Sequence, residues 1–132
     1  MIVPQNAEVF DTLTSTYWYD DAGFVCSISK KRDPPLSLEE TKKVLEEFKS
    51  NLRTEKICLL IDVTHTSETT REIRDYAAVE FPKFVKAIAM VSESALGKML
   101  ANLFFSVKTQ PYPTKMFNDE EKARVWLKQH CK

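Results

Sequence analysis

The residues best equipped for chemistry fall in one short stretch, Asp62 to Arg74. Asp62, His65 and Glu68 offer two carboxylates and an imidazole, groups that serve acid–base catalysis or bind metals. Arg71 and Arg74 stand one helical turn apart and offer guanidinium groups to an anionic head group. A zinc site or a hydrolytic triad needs more groups at defined spacing than this. The other histidine, His130, lies far along the chain. Asp62 also has a plain structural role open to it, accepting backbone N–H groups of the loop it begins. Arg74 and Asp75 likewise read as a surface pair. The stretch is therefore predicted to be a ligand-binding edge made of Asp62, Thr64, His65, Arg71 and Arg74. No residue is assigned a catalytic role, no metal or cofactor is implied, and the chain is not expected to be an enzyme.

Thr69 and Thr70 are the candidate phosphoacceptors. A phosphate there would meet the N-terminus of a helix, where backbone N–H groups and the dipole favour it. Capping alone also explains them, since Thr69 and Glu72 spell a capping box.

Composition removes other chemistries. The 132 residues hold two glycines, Gly23 and Gly97, so no Gly-rich nucleotide loop can be spelled. Nineteen basic residues balance nineteen acidic ones, which gives no electrostatic case for nucleic acid. Cys26, Cys58 and Cys131 are odd in number with no CxxC, and are read as free thiols in a reducing compartment. No apolar run approaches the ~20 residues of a membrane span. The opening residues lack the pattern of a secretory signal. A cytoplasmic location is expected.

The elements that must position the edge can be read around Lys56–Val63, KICLLIDV. Its apolar run ending in Asp62 predicts a strand buried on both faces, the mark of a parallel sheet covered by helices. Residues 1–11 read as a loose lead-in. Leu13–Tyr19 and Phe24–Ser29, joined at Gly23, read as an antiparallel hairpin. Ser37 and Glu40 make a capping box before a helix over Leu38–Leu52. After the central strand, a helix from Thr70 turns Ile73, Tyr76, Ala77 and Phe81 inward, and Pro82 interrupts it. Ala87–Val91 is a second buried parallel strand. Ala95–Val107 is a helix with Leu96, Met99, Leu100, Leu103, Phe104 and Val107 on its inner stripe. Thr114–Phe117 is a short last strand. Asn118 caps a final helix with Ala123, Trp126, Leu127 and His130 inward. The order is β-β-α-β-α-β-α-β-α. It predicts one α/β domain with a mostly parallel five-stranded sheet, an antiparallel N-terminal strand and helices on both faces.

Several segments in this order resemble a known group. They are Tyr17-Trp18-Tyr19-Asp20, Leu59-Leu60-Ile61-Asp62-Val63, Arg74-Asp75-Tyr76, Val85-Lys86-Ala87-Ile88-Ala89 and Pro111–Phe117 followed by Asn118–Ala123 and Trp126-Leu127. Together they are similar to the SpoIIAA-like fold of STAS and Sec14 (CRAL-TRIO) domains, and most of all to small bacterial STAS/SEC14 domain-containing proteins. STAS anti-sigma-factor antagonists carry a phosphorylatable Ser in an Asp-Ser-Ser-Gly segment. Glu68-Thr69-Thr70-Arg71 stands there in this chain, with hydroxyls present but the motif not reproduced. Taken with the missing catalytic motif and the surplus apolar surface of the Ala95–Val107 helix, the resemblance leads to the expectation of a non-catalytic domain that acts by binding a protein partner or a second copy of itself.

Phe104 and Phe105 make two adjacent helix faces apolar, and Tyr112 is held between two prolines. These three are the candidate interface. The alternative function is a small carrier or sensor of an apolar, lipid-like ligand, which would need a closed apolar cavity of about 300 Å3 or more.

Overall fold

Short polar turns and β-branched or aromatic runs set the N-terminal third. In the computed structural model, which describes residues 1–106 and 110–131, Val9–Asp11 forms β1, Ser15–Tyr19 forms β2 and Val25–Ser29 forms β3. Thr12 Oγ1 accepts from the backbone N–H groups of Thr14 and Ser15, at 3.2 and 3.0 Å, which turns the chain between β1 and β2. Gly23 takes φ 84° in the β2–β3 turn, a conformation costly to any other residue type. β1 corrects the expected loose lead-in and raises the sheet from five strands to six. Three residues are too few to show periodicity. The strand is held by antiparallel pairing with β2 and by Phe10 stacking on Tyr17 at 5.0 Å.

Ser37 accepts from the Glu40 N–H, and the Glu40 carboxylate accepts from the Ser37 N–H, so the expected capping box starts α1, Leu38–Ser50. β4, Ile57–Asp62, is buried along its whole length and pairs in parallel with β3 on one side. α2 is Arg71–Glu80. Thr70, not Thr69, is its N-cap, accepting from the Ile73 N–H at 3.2 Å, which moves the cap one residue along and removes the Thr69–Glu72 box. Pro82 falls in a 3₁₀ turn, Phe81–Lys83.

β5, Val85–Val91, begins two residues before its apolar core and pairs in parallel with β4, with a bulge that turns Lys86 outward. α3 is Ala95–Ser106, and Val107 lies outside the described residues. β6 is Thr114–Phe117. α4, Glu120–His130, is capped by Asp119 instead of Asn118.

The sheet runs β1-β2-β3-β4-β5-β6 without reversal. Crossovers of one hand along an order that never reverses put every crossover helix on the same face. α1, α2 and α3 accordingly share one core with Ile57, Leu59, Ile61, Ile88 and Met90. The other face holds Trp18, Cys26, Leu60, Ala87 and Ala89, covered by α4 and by Met1, Val3 and Ala7. Helices do lie on both faces, in a three-to-one division. Among the described residues, no helix is long and apolar enough to cross a membrane.

The reading of three free thiols is overturned. Cys58 faces the α4 side, and Cys131 ends α4 above it. Their Cα atoms are 6.3 Å apart, within bridging range, and the two form a disulfide across 73 positions. Cys26 stays free and buried.

Candidate functional site

Alternation along β4 decides which groups reach which face. Leu59 and Ile61 point toward α1 and α2, while Leu60 and Asp62 point toward the α4 side. Asp62 is therefore turned away from the face that α1, α2 and α3 cover. Its Oδ1 accepts from the Thr64 N–H at 3.0 Å and the Thr64 hydroxyl at 2.6 Å, and its Oδ2 lies 2.8 Å from the Met1 ammonium. Burial alone would raise the Asp62 pKa, but the hydrogen bonds from the ammonium and Thr64 outweigh it and hold the carboxyl below the ordinary range. Thr64 Oγ1 in turn accepts from the Glu93 N–H at 3.0 Å. These two residues knit the carboxyl ends of β4 and β5.

The rest of the predicted edge does not converge. His65 is exposed. Arg71 is exposed, with Nε 3.9 Å from Asp75. Arg74 folds back, Nη1 donating to the Thr69 carbonyl at 2.7 Å. Among the described residues no group of three His, Cys, Asp or Glu is placed to hold a metal ion. Of the two threonines, Thr70 is exposed and engaged as the cap, and Thr69 is half-buried.

The loop that carries them nonetheless borders a site. Between the sheet and the three helices lies a cavity of about 240 Å3. Leu59, Ile61 and Val63 form its sheet wall, with Ser27 and Ser29 of β3 beside them. α1 contributes Val44, Leu45 and Phe48; α2 contributes Ile73, Tyr76 and Ala77. Phe81, Phe84, Phe104 and Phe105 close the far end, with Phe81 5.4–6.1 Å, ring centre to ring centre, from each of the others. The mouth lies at the carboxyl ends of β3 and β4, among Thr12, Lys30, Arg32, Thr66, Ser67 and Thr69. The Ser67 hydroxyl joins its two loops, accepting from the Arg32 N–H at 2.5 Å and donating to the Lys30 carbonyl at 3.4 Å.

Arg32 and Ser67 were not singled out from the sequence. Lys30-Lys31-Arg32-Asp33-Pro34-Pro35 is legible as a charged loop stopped by prolines, but nothing in its spacing says that it meets the loop after β4.

The candidate interface is also redrawn. Phe105 and Tyr112 are each only 7% exposed, and Phe104 is half-buried against Phe81, so these three belong to the core. Burial pushes the Tyr112 phenol up to about 12. The outer face of α3 instead shows Leu96, Met99 and Leu103, at 53%, 59% and 49% exposed. His130 is likewise outside the inner face of α4, exposed beside Trp126 at 4.3 Å between ring centres.

The fold and its cavity stand beside three comparisons. The chain is similar to an uncharacterised protein of the DUF3478 family with a SpoIIAA-like fold from Shewanella loihica PV-4, with 18% identity over 92% of this chain and 91% of that chain and a TM-score of 0.50. The fold of this chain is therefore of the SpoIIAA-like α/β type. A more remote likeness, TM-score 0.30 and 19% identity over 96% of each chain, is to a protein with unknown function from Arthrobacter sp. FB24. No curated protein matches. The chain belongs to the family described as a domain of unknown function, DUF7793, whose model matches residues 17–131.

Proposed function

We propose that this domain is a non-catalytic binding module whose ligand is a small, largely apolar molecule held between the sheet and α1, α2 and α3. The observation that carries the reading is the cavity of about 240 Å3 with an aromatic end and a polar mouth. A concave space lined mainly by apolar and aromatic side chains, with a few polar groups at its mouth, has the make-up of a small-molecule site. It falls short of the ~300 Å3 at which ligand pockets usually begin. That favours a single-chain molecule over a two-chain lipid. The SpoIIAA-like fold is consistent with kinship to STAS and Sec14-type domains, and that kinship is part of the same proposal.

A second reading rests on a separate observation, the exposed row Leu96, Met99 and Leu103 on α3. An apolar row of this kind supports contact with a protein partner or a second copy of the chain. The cytoplasmic location also belongs here. In a reducing cytoplasm Cys58 and Cys131 would stand as thiols.

Native mass spectrometry of the protein purified from its own cells tests the ligand reading. A mass above that of the bare chain, lost on gentle activation, is expected. A bare mass, together with no uptake of any small lipophile on incubation, would remove it.

A further inference from the structure

The cavity is polarised, and the polarity specifies what it takes. Its deep end is built from Phe81, Phe84, Phe104 and Phe105, which offer no charge. The charged side chains of the lining, Lys30, Arg32 and Glu68 among the described residues, all belong to the two loops at the mouth. Glu68 is exposed at the rim. The Lys30 ammonium is already engaged, 2.5 Å from Asp11 Oδ1 and 3.0 Å from the Thr12 carbonyl.

Arg32 differs from both. Its Nε is buried and has no hydrogen-bond partner. A buried guanidinium N–H without an acceptor is costly, and an anionic oxygen is the acceptor that suits it best. The Thr69 hydroxyl lines the same mouth and can donate to the same head group.

Resting on the reading of the cavity as a ligand site, we propose that the ligand is a single-chain amphiphile with an anionic head. The chain lies inward among the four phenylalanines, and the head meets the Arg32 guanidinium at the mouth. A carboxylate and a phosphate monoester present the same chemistry to Arg32, and the test separates them.

The experiment is isothermal titration of the full chain with decanoate, decyl phosphate and decanol, repeated on Arg32→Gln. At least one anionic amphiphile should bind more tightly than decanol, and the tighter of the two names the head group. Arg32→Gln should weaken anion binding about tenfold or more while leaving decanol binding unchanged. Decanol binding that survives in the variant also shows that its cavity is intact. Equal affinity for decanol and both anions would overturn the anionic head while sparing the apolar site. So would an Arg32→Gln that weakens all three alike. No binding of any of the three would overturn both the head group and the site.

Discussion

Asp62 and Gly97 show how single residues fix the carboxyl edge of the sheet. The Asp62 carboxyl is held below its ordinary 3.8, so the unfolded chain binds its proton more readily than the native one. Its contribution is present above about pH 4 and is lost as pH falls through the native value. Asp62→Asn is expected to flatten the acid limb of a stability–pH curve measured by urea unfolding. An unchanged acid limb would deny Asp62 this role. A Cβ added at Gly97 would lie 2.4 Å from the Val63 carbonyl oxygen and 2.9 Å from that of Thr64. Both are backbone atoms with little room to move. Gly97→Ala should cost about 1–3 kcal/mol, read as a lower urea midpoint.

Cys26 is a residue of the opposite kind, one whose environment silences it. Burial, and then the Asp20 charge, push its thiol up to about 12 although Arg124 pulls the other way. Arg124 Nη1 donates to Asp20 Oδ2 at 2.5 Å and Nε to Glu120 at 2.9 Å, which clamps α4 to the β2–β3 turn. With Cys58 and Cys131 joined, the oxidised native protein is expected to show no fast-reacting thiol in an Ellman titration at pH 8, and one after denaturation. Three thiols on denaturation without reductant would return Cys58 and Cys131 to the free state read from the sequence.

At the scale of elements, α3 shows what periodicity resolves and what it leaves open. Apolar residues occupy two of its faces, Leu96–Met99–Leu103 and Leu100–Ala101–Phe104–Phe105, and both rows repeat at helical spacing. The longer row read from the sequence mixes the two. What chooses the inner face is the small pair Gly97 and Ala101, because the helix runs hard against the backbone at the end of β4. That is a matter of distance between elements, which hydropathy does not encode. α1 was legible for the converse reason. One face is apolar, the rest is Lys and Glu, and the cap is complete within four residues. If the outer row of α3 is an interface, Leu96→Glu with Met99→Glu should leave the unfolding midpoint within the scatter of surface changes, about 0.5 kcal/mol. Light scattering should then show loss of self-association or of partner binding. Unaltered association in a folded variant would retire that face as a contact.

At the scale of the molecule, the parallel sheet could be read from the apolar run of β4, while the arrangement around it could not. The strand order never reverses, so the helices divide three to one, and the space between three helices and one face becomes the cavity. The expectation of a ligand at the carboxyl ends of the strands named Asp62, Thr64, His65, Arg71 and Arg74, none of which lines the cavity; its mouth takes Thr66, Ser67 and Thr69 from the same loop instead. Alternation along β4 turns Asp62 to the other face. Arg32 escaped notice because its partner loop lies 35 positions away. The Cys58–Cys131 pairing is hidden for the same reason. Closing so long a loop should add about 2–4 kcal/mol, and reduction should lower the urea midpoint accordingly.

The central claim is that the space beneath α1, α2 and α3 binds an apolar ligand. Ala77 is buried in α2 and lines that space, so Ala77→Phe fills it from within without touching the outer row of α3. The direct measurement is titration of an apolar fluorescent probe into the wild-type chain and into Ala77→Phe, with far-UV circular dichroism and a thermal melt confirming that the variant is folded. Saturable binding at one site in the wild type, lost in the folded variant, is the predicted result. Undiminished binding in Ala77→Phe would place the probe elsewhere, and no binding to the wild type would leave the cavity without a ligand; either would contradict the account.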